Sequence, residues 1–159
     1  MKKILFLALI LSLAGCAHVI SSNIRERVDP SITEKEVFRY PDKYINNTVI
    51  LGGVIAGIYN EKEGTYLEVI QKPLDYYGRP LYTDFSLGRF LILHQEFLDP
   101  DIFSRGRRVT VAGEVAGIII RPLGGIDYPY LLINSKELHL LGIRPGIPIW
   151  FGIEIWKSF

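Results

Sequence analysis

The residue with the clearest chemistry is Cys16, the only cysteine among 159 residues. It closes the run Leu13-Ala14-Gly15-Cys16, which has the pattern of a bacterial lipobox. Small residues ahead of the cysteine let a peptidase reach the backbone. The Cys16 thiol is the nucleophile that takes a diacylglyceryl group, and cleavage after Gly15 frees an amine for a further acyl chain. The flanks agree with this chemistry. Lys2 and Lys3 form a basic start, and residues 4–13 are uncharged and almost wholly apolar, as in an export signal. That run is too short for a transmembrane helix, which needs roughly 20 residues. The spacing therefore predicts a covalent diacylglyceryl and N-acyl lipid on Cys16 and no other cofactor. One acyl chain anchors only marginally and two or more anchor stably, so the expected partner is membrane lipid. Ala17 follows the cysteine where an inner-membrane retention aspartate would stand. The expected location is thus the outer membrane, lipid-anchored and facing the periplasm.

Other chemistry is sparse. The chain has no phosphate loop, dinucleotide fingerprint or HExxH motif, and no serine sits in a Gly-x-Ser-x-Gly elbow. Its histidines are His18, His94 and His139. His94 with Glu96 or Asp99 is the one acid–base pair that could be drawn, and an envelope hydrolase built on it, or on Asp84, is the weakest of the functional alternatives. No catalytic residue and no metal ligand set is expected. A single cysteine also excludes an internal disulfide framework and a cysteine-based zinc site.

Charge and composition narrow the field further. There are 18 Lys+Arg against 17 Asp+Glu, a net charge of +1. Loss of residues 1–15 removes Lys2 and Lys3 and no acid, leaving 16 basic against 17 acidic side chains and a mature charge of −1. Such a balance lacks the basic footprint of a nucleic-acid binder. Hydrophobic residues make up 48% of the chain and the mean hydropathy is +0.21, which is too apolar for a disordered protein.

The elements that would position any site read as mostly β. Residues 1–15 are the signal peptide and residues 16–32 a polar, lipidated tether. Residues 33–142 form the folded domain, and residues 143–159 an apolar aromatic tail. Thr33-Glu34-Lys35-Glu36 is a capping box for a short helix, and Pro41 starts a further helical turn. Strands are expected over 49–59 and 65–71 as a hairpin, then over 89–94 and 107–120. A fifth, broken strand covers 130–134 and 137–141. A short helical segment near 97–106 separates the third strand from the fourth. Residues 49–58 echo residues 109–118. In both, the odd positions carry the apolar face and should form the core, leaving the even positions more exposed. Gly53 and Gly113 mark sharp bends or bulges. This order of elements is that of an OB-fold-like, five-stranded barrel, closed or partly open.

Three segments stand out as contact surfaces for a ligand, an envelope protein or a glycan. Residues 71–90 hold Tyr76, Tyr77, Arg79 and Arg89, where Arg79 or Arg89 would pair with Asp75 or Asp84. Tyr128 and Tyr130 form a second tyrosine group, and tyrosines both stack on sugar rings and hydrogen-bond to them. In the tail, Trp150 and Trp156 share one face of an alternating pattern. That face suits a protein or membrane interface, or else the tail covers a barrel edge as an extra strand.

Several stretches together carry a resemblance: Lys72-Pro73-Leu74-Asp75, Gly78-Arg79-Pro80, Gly88-Arg89-Phe90, Phe97-Leu98-Asp99-Pro100 and Val109-Thr110-Val111-Ala112-Gly113. With the lipobox, they resemble the Slp family of starvation-inducible outer-membrane lipoproteins over about residues 49–141. The resemblance implies a non-enzymatic lipoprotein of the Gram-negative envelope, linked to stationary phase or stress, and it carries no catalytic residues. The chain departs from the family in its tail and at Leu138-His139-Leu140-Leu141, where a tryptophan is often expected. The reading that follows is a small β-barrel binding or adaptor module. The alternative is a periplasmic binder of a small ligand or oligosaccharide.

Overall fold

The computed structural model describes residues 18–142. The lipobox with Cys16, and the tail with Trp150 and Trp156, lie outside the described residues. The five strands are β1 (Thr48–Glu61), β2 (Gly64–Gln71), β3 (Arg89–His94), β4 (Arg108–Leu123) and β5 (Ile126–Leu140). Two short helices, α1 (Ser22–Arg25) and α2 (Glu34–Arg39), and a 3₁₀ turn (Pro41–Tyr44) precede them. The strands close in the order β1-β2-β3-β5-β4, with β4 pairing back to β1. β3 and β5 run parallel and every other pair is antiparallel. The expected five-stranded barrel is therefore present, and it is closed. Among the described residues no helix is long and apolar enough to cross a membrane.

Alternation builds the core. Val49, Leu51 and Ile55 of β1, Leu67 and Val69 of β2, Phe90 and Ile92 of β3, Val109, Val111 and Val115 of β4, and Leu131 and Ile133 of β5 all point inward and are buried. The odd face of both echo segments is the core face, as expected, up to Ile55 and Val115; beyond them the register shifts, and even-numbered Ile58 packs against the core. One end of the barrel is plugged by α2. Its capping box is formed, with Thr33 Oγ1 accepting from Glu36 N and Glu36 accepting from Thr33 N. That fixes Val37 in the core and sets Phe38 edge-on to Phe90, 6.1 Å between ring centres. At the same end Gln71, fully buried on β2, donates to Glu34 Oε2 at 2.5 Å and accepts from Leu87 N. Burial beneath this plug pushes the Glu34 carboxyl above its ordinary pKa. Leu98 closes the other end, held by its amide donating to the hydroxyl of buried Thr65.

Several expectations are corrected. The helical segment near 97–106 is a single turn and not a helix. Asp99 caps it through Asp101 N, and Phe103 N bonds the Asp99 carbonyl at 2.8 Å. Gly106, at φ +88°, then ends the turn before a second could form. The fifth strand is continuous, because an extra residue at Lys136 absorbs the register change next to Gly113. The hairpin into it is tighter than expected, with β4 running on to Leu123 and both Gly124 and Gly125 at positive φ. The even face of β4 is exposed only in its second half: Ala116 and Ile118 are exposed as expected, whereas Thr110 and Ala112 are buried on the outside of the barrel. Thr110 lies under the 72–88 loop, whose Gly78 carbonyl accepts from Thr110 Oγ1 at 2.7 Å and whose Pro80 carbonyl accepts from Arg108.

The bulges in the echo segments also move. β1 shifts register at Ala56 and β4 at Ala116, the same place in the repeated pattern and three residues beyond the marked glycines. At Gly113 the β4–β5 register also shifts, with the extra residue, Lys136, on β5, and both Gly53 and Gly113 let neighbouring strands approach. A Cβ on either would overlap a backbone carbonyl of the facing strand, Ile70 or Asn134.

The segment expected as a tether does not run free once it reaches His18. Val19 N donates to the Tyr77 carbonyl at 2.9 Å, Ile20 is buried, and the Ser21 amide and hydroxyl both donate to Glu137. Apolar burial at Ile20 and these bonds outweigh the polar composition that reads as linker.

Candidate functional site

The strand pattern puts Tyr66, Glu68 and Ile70 of β2 on the outer surface, because Leu67 and Val69 point inward. Arg89 and Leu91 of β3 face outward for the same reason. The β4–β5 hairpin projects beyond the barrel and brings Arg121, Pro122 and Tyr130 alongside. Of these, Glu68, Leu91, Arg121, Pro122 and Tyr130, with Tyr59 from the end of β1, line an open cleft of about 250 Å³.

Glu68 is the centre of the cleft. It is buried, and a buried carboxylate is tolerable only when its charge is paired and hydrogen-bonded. Arg89 Nη1 lies 2.5 Å from Glu68 Oε1, an ion pair with a charge-assisted bond. Tyr130 OH donates to the same oxygen at 3.1 Å, and Tyr59 OH donates to Oε2 at 3.2 Å. Burial, then the negative charge of Glu68 and the bond to it, pushes the Tyr130 phenol up to about 12. The same causes raise Tyr59. Arg121 rims the cleft, 4.2 Å over the Tyr66 ring, and binds Glu61 with both terminal nitrogens. That bond holds the Glu61 carboxyl below its ordinary pKa.

The raised phenol gives a testable titration. The neutral form of Tyr130 is the one the fold favours. Its contribution to stability is complete below the ordinary tyrosine pKa near 10 and is lost as pH rises past about 12. Alkaline tyrosinate absorbance should therefore show a late component that Tyr130→Phe removes. A titration complete near the ordinary value, or unchanged in the variant, would show that Tyr130 does not donate to Glu68.

The residues singled out from sequence divide between two sides of the barrel. Arg89 and Tyr128 belong to the β2–β3 side, where the Arg89 amide donates to Tyr128 OH at 3.3 Å and the Tyr128 ring packs against Tyr130. Tyr76, Tyr77 and Arg79 sit in the 72–88 loop over β1 and β4. There Tyr76 and Tyr77 meet edge to face at 5.4 Å and Arg79 lies over the Tyr77 ring. The expected pairing of Arg79 or Arg89 with Asp75 or Asp84 is corrected. Arg89 pairs with Glu68, because the strand pattern turns both outward on adjacent strands. Asp75 instead closes its own turn, accepting from the amides of Tyr77 and Arg79 at 2.9 and 2.8 Å. Glu68 and Arg121 went unmarked in the sequence. The signal for Glu68 was a lone acid between apolar strand positions.

The acid–base pair drawn for a hydrolase is not assembled. His94 Nδ1 faces Ser135 Oγ at 3.3 Å across β3 and β5, while the Asp99 carboxylate is engaged by Asp101 N. His139 bonds Glu137 at 2.6 Å, and His18 Nδ1 accepts from Ile20 N. Among the described residues no three His, Cys, Asp or Glu side chains gather as a metal-holding group.

The model of the outer membrane lipoprotein Slp family matches residues 13–144. The chain is 31% identical over 157 residues to the lipoprotein YeaY of Escherichia coli K12, covering 94% of this chain and 81% of that protein. It is 30% identical over 145 residues to the outer membrane protein Slp of the same strain, covering 90% and 76%. Among solved structures it is similar to a small single-stranded DNA-binding protein from Streptomyces coelicolor, with a TM-score of 0.37 and 13% identity over 60% of this chain and 94% of that one.

Proposed function

The chain belongs to the Slp family of outer membrane lipoproteins, and from that premise we propose that it is a non-enzymatic binding or adaptor module of the envelope. In this reading the barrel hangs from the outer membrane by lipid on Cys16, faces the periplasm and serves stressed or stationary-phase cells. The observation that carries the binding role is the cleft on the β2–β3 side. Its floor is an ion pair locked by two tyrosine hydroxyls, with Glu68 committed to Arg89, Tyr59 and Tyr130. A carboxylate so fully bonded is a recognition surface and a poor general base.

The chemistry of the cleft favours a neutral, polar ligand. Arg89 is matched by Glu68 and Arg121 by Glu61, so no cation in the pair network is spare for a phosphate backbone. Nucleic acid also suits poorly a mature charge of −1. Tyrosine faces beside hydrogen-bonding groups support a glycan as the second reading.

The test is a photo-crosslinking side chain placed at Pro122, an exposed residue lining the cleft, in intact cells. A discrete protein crosslink that Glu68→Ala abolishes is expected for an adaptor. A shift in melting temperature with cell-wall oligosaccharides, lost in the same variant, is expected for a glycan binder. Recovery of bulk lipid alone, with no shift from any oligosaccharide, would sink both.

A further inference from the structure

The path of the N-terminus fixes which side of the barrel meets the membrane, an inference that rests on the lipid anchor proposed above. Only Ala17 separates Cys16 from His18, and two extended residues span at most roughly 7 Å. His18 is itself docked. Its ring lies against Gly78, so close that a Cβ there would come 2.7 Å from Cε1, and the next amide, Val19 N, bonds the Tyr77 carbonyl at 2.9 Å. Buried Ile20 and the two bonds from Ser21 to Glu137 hold the segment in place. The chain length therefore limits the lipid attachment point to about 7 Å from His18, which lies against the turn that carries Tyr76 and Tyr77.

That turn belongs to the most aromatic exposed stretch among the described residues. Tyr76 is 86% exposed, Tyr82 61% and Phe85 58%, with Leu81 and Tyr77 also in the exposed class. Arg79 lies over the Tyr77 ring at the same turn. Tyrosines with an apolar body and a polar tip, set beside arginine, are the side chains that settle at headgroup level. Large exposed apolar groups gathered on one loop mark an interaction surface.

We propose that the 72–88 loop is a membrane-resting surface, seated in the headgroup layer of a phospholipid leaflet beside the lipidated Cys16. Anchor and loop then act together: the acyl chains hold the protein at the membrane, and the loop sets its orientation. The cleft, on the β2–β3 side and not on the β1–β4 side that the loop covers, stays open to the periplasm.

The experiment uses the full lipidated protein in vesicles of phosphatidylethanolamine and phosphatidylglycerol carrying a quencher on their acyl chains. The Cys16 sulfur is alkylated in this protein, so Tyr76→Cys supplies the one free thiol for a fluorescent label. Lys62→Cys, in the turn between β1 and β2 at the far end of β2, is the comparison. Flotation of the same sample reads the anchor separately. The expected result is that both proteins float and that the label at position 76 is quenched severalfold more than the label at position 62. Equal quenching in floating protein would overturn the membrane-resting surface and leave the anchor standing. Protein that does not float would overturn the anchor, and the orientation with it. Both positions are exposed on turns, so neither label disturbs the core.

Discussion

Phe90→Ala is expected to destabilise the barrel by about 3–5 kcal/mol, the range for a buried phenylalanine cut to alanine. Domains of this size have a total stability of about 5–15 kcal/mol, so the variant would sit near the edge of folding. The expectation rests on where Phe90 lies. It is fully buried, stands opposite Val69 on β2 and Leu131 on β5, and meets Phe38 of the α2 plug edge to face. Three structural units therefore share one side chain, and the cavity left behind has rigid β walls that cannot collapse into it. Urea unfolding followed by circular dichroism would check the value. Tyr76→Ser, on the exposed turn, should move the midpoint by no more than about 0.5 kcal/mol equivalent. A loss below about 1 kcal/mol at Phe90 would mean that the β3–β5 seam and its plug are not formed as described.

Cys16→Ser is expected to have the largest effect in the cell. A serine hydroxyl cannot form the thioether, so the diacylglyceryl group has no attachment and the signal is not removed by the lipoprotein route. Each buried methylene contributes roughly 0.8 kcal/mol, so losing whole acyl chains removes essentially all hydrophobic hold on the bilayer. Labelling by a palmitate analogue should disappear, and the protein should accumulate as a larger precursor or in the soluble fraction. Labelling at the normal level would show that Cys16 is not the acylated residue. The two substitutions separate cleanly: Phe90→Ala acts on the fold and leaves the anchor chemistry intact, and Cys16→Ser does the reverse.

The strands were largely legible in the sequence because their core faces alternate regularly up to the bulges at Ala56 and Ala116. Val49, Leu51 and Ile55, with Val109, Val111 and Val115, announce two equivalent strands before any coordinate is seen. What the alternation hides is the outer face. Thr110 reads as a solvent position, and the return of the 72–88 loop across β4 buries it. Glycines were visible but ambiguous. Gly53 and Gly113 advertise an unusual backbone, yet a bulge and a close strand approach need the same missing side chain, and the bulges fell at Ala56 and Ala116. The cleft was only half legible. Arg89 and Tyr128 stood out by type, whereas Glu68 became central only because β2 and β3 pair in a register that sets Leu91 opposite it and Arg89 within reach. The docking of His18 and Val19 on the loop had no sequence signal, since it depends on contacts between segments nearly sixty residues apart.

The seam of the barrel also governs when the protein can fold. β1 closes against β4, joining Val49 to Gly113, and β3 lies parallel to β5, joining Phe90 to Leu131. Neither ladder can form until the last strands of the domain have been made. Topologies dominated by such distant pairings fold in milliseconds to seconds, far slower than helical bundles. A newly made chain therefore passes through a stage in which the ring is still open. The same late-closing ladders that make the finished barrel hard to pull apart keep the newborn chain threadable.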